Sequence, residues 1–305
     1  MPRHLLNLTD LGPEGLVRML EASDRWQKVR GRAEAPRPLA GKSVALVFEK
    51  ASTRTRLSLE IAVAELGGHP VVLTSSGSQL ERGEPIADTA RVLTRMVHAI
   101  TFRTSSELRL RQLVEHSTVP VLNALTDTGH PMQLLADLQT VRRARGQLEG
   151  LRYAWVGDGN NMANSWIEAA GLLKLELWLA CPAGYDPDTG VLEAAVGRGG
   201  RVRVVRNPAE AVRGAHVVST DVFASMGQES EAAERRAAFR GFMVSRELLR
   251  NAAADVTVLH CLPAHRGEEI EAEVIDLPTS AIWDQAEARL HTAKAALEWA
   301  LAGDG

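Results

Sequence analysis

The chain has 305 residues, a length that favours two domains of ordinary size. Hydrophobic residues make up 45% and charged residues 24%, the values of an ordinary soluble globular protein. The formal net charge is −3, without the basic surplus that a dedicated nucleic-acid binder carries.

Among the basic residues only Lys28, Lys42, Lys50, Lys174 and Lys294 are lysine, the rest being arginine. We read that as a compositional bias and not as a phosphate code. The two cysteines, Cys181 and Cys261, exclude a disulfide scaffold and a Cys-rich zinc module. Reduced, cytosolic thiols are the expectation. The opening MPRHLLNLTDLGPEG lacks the long apolar core of a signal peptide. No apolar run approaches the ~18 residues that suggest a membrane span. The expected location is the cytoplasm, with no membrane and no nucleic acid as partner.

The first helix is predicted after Asn7-Leu8-Thr9-Asp10 and Pro13, with Leu16, Met19, Leu20 and Trp26 roughly on one face. SVALVFE from Ser43 to Glu49 is a short β-branched run, read as a buried strand. TRTRLSLEIAVAEL from Thr53 to Leu66 is helical, with Leu57, Ile61 and Ala64 expected inward, and stops at Gly67-Gly68. HPVVLTS, AITFR (ending at Arg103) and VPVLNAL (ending near Leu125) read as strands. IADTARVLTRM and SELRLRQLVEH read as the helices between them. From His130, HPMQLLADLQTVRRARG is a long helix, and its basic, Gly-ended tail marks a boundary near residue 140.

The alternation then restarts. RYAWVGD, LELWLAC, RVRVVR, HVVSTD and VTVLHCL are predicted strands. MANSWIEAAGLLK and AEAVRGA are predicted helices, and DQAEARLHTAKAALEWALAG is a closing amphipathic helix. Strand–helix alternation of this length implies βαβ units and parallel sheets. The expected fold class is α/β, with two doubly wound parallel-sheet (Rossmann-like) domains and the C-terminal helix crossing back to the first. The expected boundaries are 1–140, 141–284 and 285–305.

In open α/β sheets, ligands bind beyond the carboxyl ends of strands. The segments after predicted strands hold most of the unusual polar clusters. Ser52-Thr53-Arg54-Thr55-Arg56 lies between a strand and a helix. A helix N-terminus with hydroxyls and a guanidinium makes an anion site, and the alternative is a plain N-cap with solvated arginines. Gly157-Asp158-Gly159-Asn160-Asn161 hints at a dinucleotide fingerprint. Met162 stands where its third glycine belongs, however, and the next strand ends in Ala180-Cys181-Pro182 with no ribose-binding acid. The two Asn can instead cap the helix or hold a polar substrate. His260 and Cys261 would point to opposite faces of a strand, so adjacency alone makes no dyad. His130 and Gln133 can share a helical face, and a structural His remains open. Asp221, after HVVST, either caps a helix or grips an amine.

Taken together and in order, FEKASTRTR, Arg103 at a strand tip, HPMQ, DGNN, DVFASMG, HCLPAHRGEE and DQAEARLH resemble the ornithine carbamoyltransferase family. The resemblance covers essentially the whole chain. STRTR is shared with the related aspartate enzymes, whereas DxxxSMG and HCLP select ornithine. Ala51 stands where Pro is common, Met132 where Cys or Thr is common, and Phe223 where Trp is common. None of these departures removes a polar group from the expected chemistry.

The resemblance implies carbamoyl transfer from carbamoyl phosphate to the δ-amine of L-ornithine, giving citrulline and phosphate, in arginine biosynthesis. It implies no cofactor and no metal. Ser52, Thr53, Arg54 and Thr55 would hold the phosphate, and Arg103 phosphate and carbonyl oxygen together. Thr55 and His130 would donate to that oxygen, and Gln133 would accept from the carbamoyl NH₂. Gln79 would reach a neighbouring subunit's phosphate site, so the active form would be a homotrimer or an assembly of trimers. Asn161, Asp221, Ser225 and Met226 would grip ornithine. Cys261 with Asp221 would orient and help deprotonate the δ-amine, and Leu262 would offer it a backbone carbonyl. Cys261, Leu262 and Arg289 would also border the carbamoyl phosphate, with Arg289 near its oxygens. The catalytic set is then Arg103, His130, Asp221, Cys261 and Arg289. The competing readings are another acceptor, such as putrescine or N-acetylornithine, and a non-catalytic nucleotide-binding module.

Overall fold

A computed structural model describes residues 2–75, 83–224 and 231–302. The chain divides into two compact units, residues 1–136 with 287–305, and residues 137–286.

The first unit opens with α1 (Gly12–Val29), which buries Leu16, Met19, Leu20 and Trp26 as its periodicity predicts. Then come β1 (Ser43–Phe48), α2 (Thr53–Glu65), β2 (His69–Thr74), α3 (Ile86–Leu93), β3 (Ala99–Arg103), α4 (Glu107–Glu115) and β4 (Val121–Leu125). The four strands form one parallel sheet in the order β2-β1-β3-β4. β1 and β3 are central and almost wholly buried, as strands covered on both faces must be, and β2 is a half-exposed edge. Successive connections leave β1 in opposite directions, so the sheet's switch point lies between β1 and β3.

α5 (Pro131–Arg145) carries the chain into the second unit. There β5 (Arg152–Val156), α6 (Asn161–Leu173), β6 (Glu176–Ala180), α7 (Thr189–Gly197), β7 (Arg201–Val205), α8 (Pro208–Val212), β8 (Val217–Thr220), α9 (Ala232–Ala238), α10 (Arg246–Leu249) and β9 (Thr257–His260) follow. The sheet is again parallel, in the order β7-β6-β5-β8-β9, with its switch point between β5 and β8. Its core is built on Val156, Val218, Val258, Phe239 and Ile282.

α11 (Ile282–Leu301) starts in the second unit and returns the chain to the first. Its later turns are fastened there by Glu298, which accepts from Trp26 Nε1 at 2.9 Å, and by Lys294, which pairs with Glu65. The doubly wound parallel class and the returning helix are therefore as expected. Among the described residues, no helix is long and apolar enough to cross a membrane.

One predicted helix face is wrong. Leu57 is 57% exposed and Ala64 is exposed, while Thr55, Ser58, Leu59, Ala62 and Val63 face inward. The inward stripe begins with hydroxyls, so an apolar-only reading of periodicity rotates the helix. The sequence pattern also does not predict α7, α9 or α10. α7, for instance, buries only Ala195 and contains two glycines, so it carries no amphipathic pattern.

Candidate functional site

In the first unit, the predicted phosphate and carbonyl residues lie around the switch point. Ser52, in extended conformation, stands at the N-cap position of α2 in the loop that follows β1, so Thr53, Arg54 and Thr55 occupy the first turn, where helix N–H groups lack intrahelical partners. Arg54 is half-buried and makes no ion pair among the described residues, whereas Arg56 pairs with Glu60. β3 ends at Arg103, and the β3–β4 register slips between Phe102 and Arg103. Such an irregularity re-aims a side chain at the end of a strand.

Arg103 and Arg289 converge on Thr55. Arg103 Nη1 donates to its hydroxyl at 3.2 Å and Arg289 Nη2 at 3.0 Å. Arg289 Nη1 also donates to Gln133 Oε1. Thr55, Arg103, His130, Gln133 and Arg289 are all buried. Burial, reinforced by the Arg289 and Arg103 charges, pushes the His130 pKa well down. His130 is therefore a neutral imidazole, able to donate one N–H without adding charge. The cluster thus holds two buried guanidiniums, a hydroxyl, a neutral imidazole and a carboxamide, and it suits an oxyanion. Gln79 lies outside the described residues.

The second unit gathers its polar groups at its own switch point. Asn160 caps α6, its Oδ1 accepting from Met162 N at 2.9 Å and Ala163 N at 3.2 Å. Its Nδ2 donates to Asp221 Oδ2 at 3.0 Å. Asn161 opens the helix beside it. Asp221 caps no helix among the described residues. Its Oδ1 accepts instead from its neighbour Val222 N at 2.8 Å and from the Cys261 thiol at 3.0 Å. Cys261 is half-buried. The other cysteine, Cys181, is fully buried, and burial pushes its thiol up to about 12, so it is chemically quiet. Ser225 and Met226 lie outside the described residues.

His260 and Cys261 do take separate partners. His260 Nδ1 accepts from Leu262 N at 2.9 Å, so its Nε2 carries the proton and donates to the buried carboxylate of Glu269 at 2.9 Å. Leu262 has φ +61°, rare for a branched residue and found where a site holds its backbone firmly. Ligand-type atoms of Asp221, His260 and Cys261 lie within 4.8 Å of one another. Both ring nitrogens of His260 are already hydrogen-bonded, which leaves a metal no free imidazole there.

Gly159 answers the dinucleotide question. A Cβ on it would fall 2.2 Å from Pro187 N, so the glycine serves close packing of the Asp186-Pro187 backbone, not the approach of a pyrophosphate.

Sequence reasoning misses three supporting residues. Arg235 Nη1 donates to Asp158 Oδ2 at 2.7 Å and Phe223 O at 3.0 Å, joining the turns after β5 and β8. Burial, with the Asp221 charge adding to it, raises the Asp158 pKa despite this partner. Glu269 orients His260, and Gln285 accepts from His260 N. Glu269 and Gln285 sit inside the quoted HCLPAHRGEE and DQAEARLH blocks, but only their folded neighbours reveal what they hold.

Comparison with known proteins shows the family. Residues 3–143 match the family described as aspartate/ornithine carbamoyltransferase, carbamoyl-P binding domain, and residues 149–300 match its Asp/Orn binding domain. The chain is 51% identical over 296 residues to the anabolic ornithine carbamoyltransferase of Pseudomonas aeruginosa, covering 97% of this chain and 96% of that one. It is 54% identical to the ornithine carbamoyltransferase of Acidothermus cellulolyticus, covering 100% and 98%. The solved ornithine carbamoyltransferase of Pyrococcus furiosus superposes with a TM-score of 0.94 at 44% identity, over 100% of this chain and 98% of that one. With two doubly wound units, a polar cluster at each switch point and family matches that run nearly end to end, the chain belongs to the aspartate/ornithine carbamoyltransferase family.

Proposed function

We propose that the protein transfers the carbamoyl group of carbamoyl phosphate to the δ-amine of L-ornithine, giving citrulline and phosphate. The observation that carries this reading is the Cys261–Asp221 pair in the second unit, together with the Thr55–Arg103–Arg289 cluster in the first. One suits an amine nucleophile, and the other a phosphorylated carbonyl.

The reaction sets three tasks. The leaving phosphate needs positive charge and N–H donors. The first turn of α2, with Ser52, Thr53, Arg54 and Thr55, supplies them, and Arg103 adds a fork. The carbonyl oxygen gains negative charge as the amine attacks. Thr55, Arg103, Arg289 and neutral His130 donate to it, and Gln133 accepts from the carbamoyl NH₂.

The amine must be neutral, although a free alkylamine of this kind has a pKa of roughly 10.4. Asp221 and Cys261 receive it, with the Leu262 carbonyl accepting one of its N–H bonds. Asn161 and Asp221, with Ser225 and Met226, hold the amino-acid end. As the new C–N bond forms, the C–O bond to phosphate breaks, and one amine proton passes to the departing phosphate, which leaves as hydrogen phosphate. No electron is transferred.

The anabolic name of the Pseudomonas relative favours a place in arginine synthesis. The resemblance supports a homotrimer or an assembly of trimers, in which Gln79 completes a neighbour's phosphate site. Two cysteines outside any disulfide fit a reducing, cytoplasmic setting. Citrulline assays with ornithine, putrescine and N-acetylornithine test the reading.

A further inference from the structure

We propose that Gln285 and Asp137 form a positioning pair that sets the His260-Cys261-Leu262 turn. The role of that turn toward the amine rests on the function proposed above. Asp137, in α5, and Gln285, in α11, both belong to the second unit and are buried. Gln285 Oε1 accepts from His260 N at 2.9 Å, where β9 ends. Its Nε2 donates to Asp137 Oδ1 at 2.6 Å.

The polarity of this chain of bonds is fixed at every joint. A main-chain N–H can only donate, so the carboxamide must turn its oxygen to His260. Its NH₂ then faces α5, and only an acceptor can stand there. Asp137 is that acceptor, through its Oδ1. The amide can neither flip nor swing without leaving a buried donor unmet. The His260 backbone is thereby held from behind. From the same backbone spring the Cys261 thiol, which donates to Asp221, and Leu262 N, which donates to the His260 ring. Gln285 touches no reacting atom in this account and acts through the turn.

The test uses the full-length assembled enzyme and two readouts. One is citrulline formation, split into kcat and KM. The other is the alkylation rate of Cys261 by iodoacetamide, with Cys261→Ser as the control for Cys181. Gln285→Leu keeps the volume and removes both bonds. Its kcat should fall about tenfold or more, with both KM values within about threefold of wild type. Alkylation should speed up several-fold as the thiol leaves Asp221. Should the leucine variant fail to fold, Gln285→Asn, one methylene too short to reach both partners, is read for the same changes.

The decisive variant combines Asp137→Asn with Gln285→Glu. The carboxylate then stands on α11 and accepts both from His260 N and from the new amide on α5, rebuilding both bonds with their polarity redistributed. Its kcat and alkylation rate should return to within about threefold of wild type, a non-additive rescue. Wild-type kcat and thiol reactivity in the Gln285 single variants would overturn the proposal. So would a double variant as impaired as Gln285→Leu. A wild-type enzyme that makes no citrulline would sink the functional reading instead, and the alkylation readout would still judge the positioning pair.

Discussion

The Cys261 thiol lies 3.0 Å from Oδ1 of Asp221 and donates to it, although 40 residues of chain separate the two. Besides its neighbour Val222 N, Asp221 takes a second side-chain donor, Asn160, on its other oxygen. Two donors from different turns thus converge on one carboxylate. Asp221→Asn cannot reproduce this, because its NH₂ must face one of two donors. Citrulline kcat should drop by about 10²–10⁴, the range for losing a positioned proton-handling group. Steady-state rates near wild type would show that the pair is structural.

Arg54 sits in the first turn of α2, half-buried, without an ion pair among the described residues. Arg54→Ala should weaken carbamoyl phosphate binding by about 2–5 kcal/mol, since a desolvated phosphate would be left short of a partner. The KM for carbamoyl phosphate reads this directly. A variant within about threefold of wild type, ~0.7 kcal/mol, contradicts the assigned phosphate site.

His130 links the site to stability. Its pKa is held well below normal in the folded protein, whereas in the unfolded chain it titrates near ~6.5. Above that pH both states are neutral and nothing changes. Below it the unfolded chain takes up a proton that the folded one refuses, so stability falls as pH falls. The loss from this group approaches about 1.4 kcal/mol per pH unit. Urea midpoints at pH 7.5, 6.0 and 5.0 should therefore decline less steeply in His130→Asn. Parallel declines in the two proteins would show that the folded imidazole protonates normally.

The alternation of strands and helices was legible because buried parallel strands are short β-branched runs between helical segments. AITFR coincides with β3, ending on Arg103. The site segments were legible because both switch points fall where strand-end motifs stand. What the sequence hid were partners chosen by packing. Nothing near Arg235 announces Asp158, 77 residues earlier, or Phe223 O. Leu57 misled because an apolar residue on α2 is exposed, while Thr55 and Ser58 turn inward. Asp221 was ambiguous until the fold set Cys261 beside it.

The proposed oligomer has its own test. Gln79→Ala should cripple a neighbour's phosphate site, and Cys261→Ala the subunit's own acceptor site. Unfolded and reassembled together, the two inactive chains should form some boundaries in which both wild-type residues meet. A fraction of wild-type activity should return, as heterologous interfaces in a closed ring require. If mixed oligomers form and no activity returns, the shared site is wrong.

The most direct test of carbamoyl transfer to ornithine is citrulline formation by the purified wild-type enzyme at subsaturating acceptor, across neutral to alkaline pH, with putrescine and N-acetylornithine in parallel. The account predicts a rate that rises with pH, because only the neutral amine attacks and its pKa lies near ~10.4. It also predicts ornithine as the preferred acceptor by a wide margin. A flat pH profile with ornithine, or faster carbamoylation of putrescine or N-acetylornithine, would contradict it.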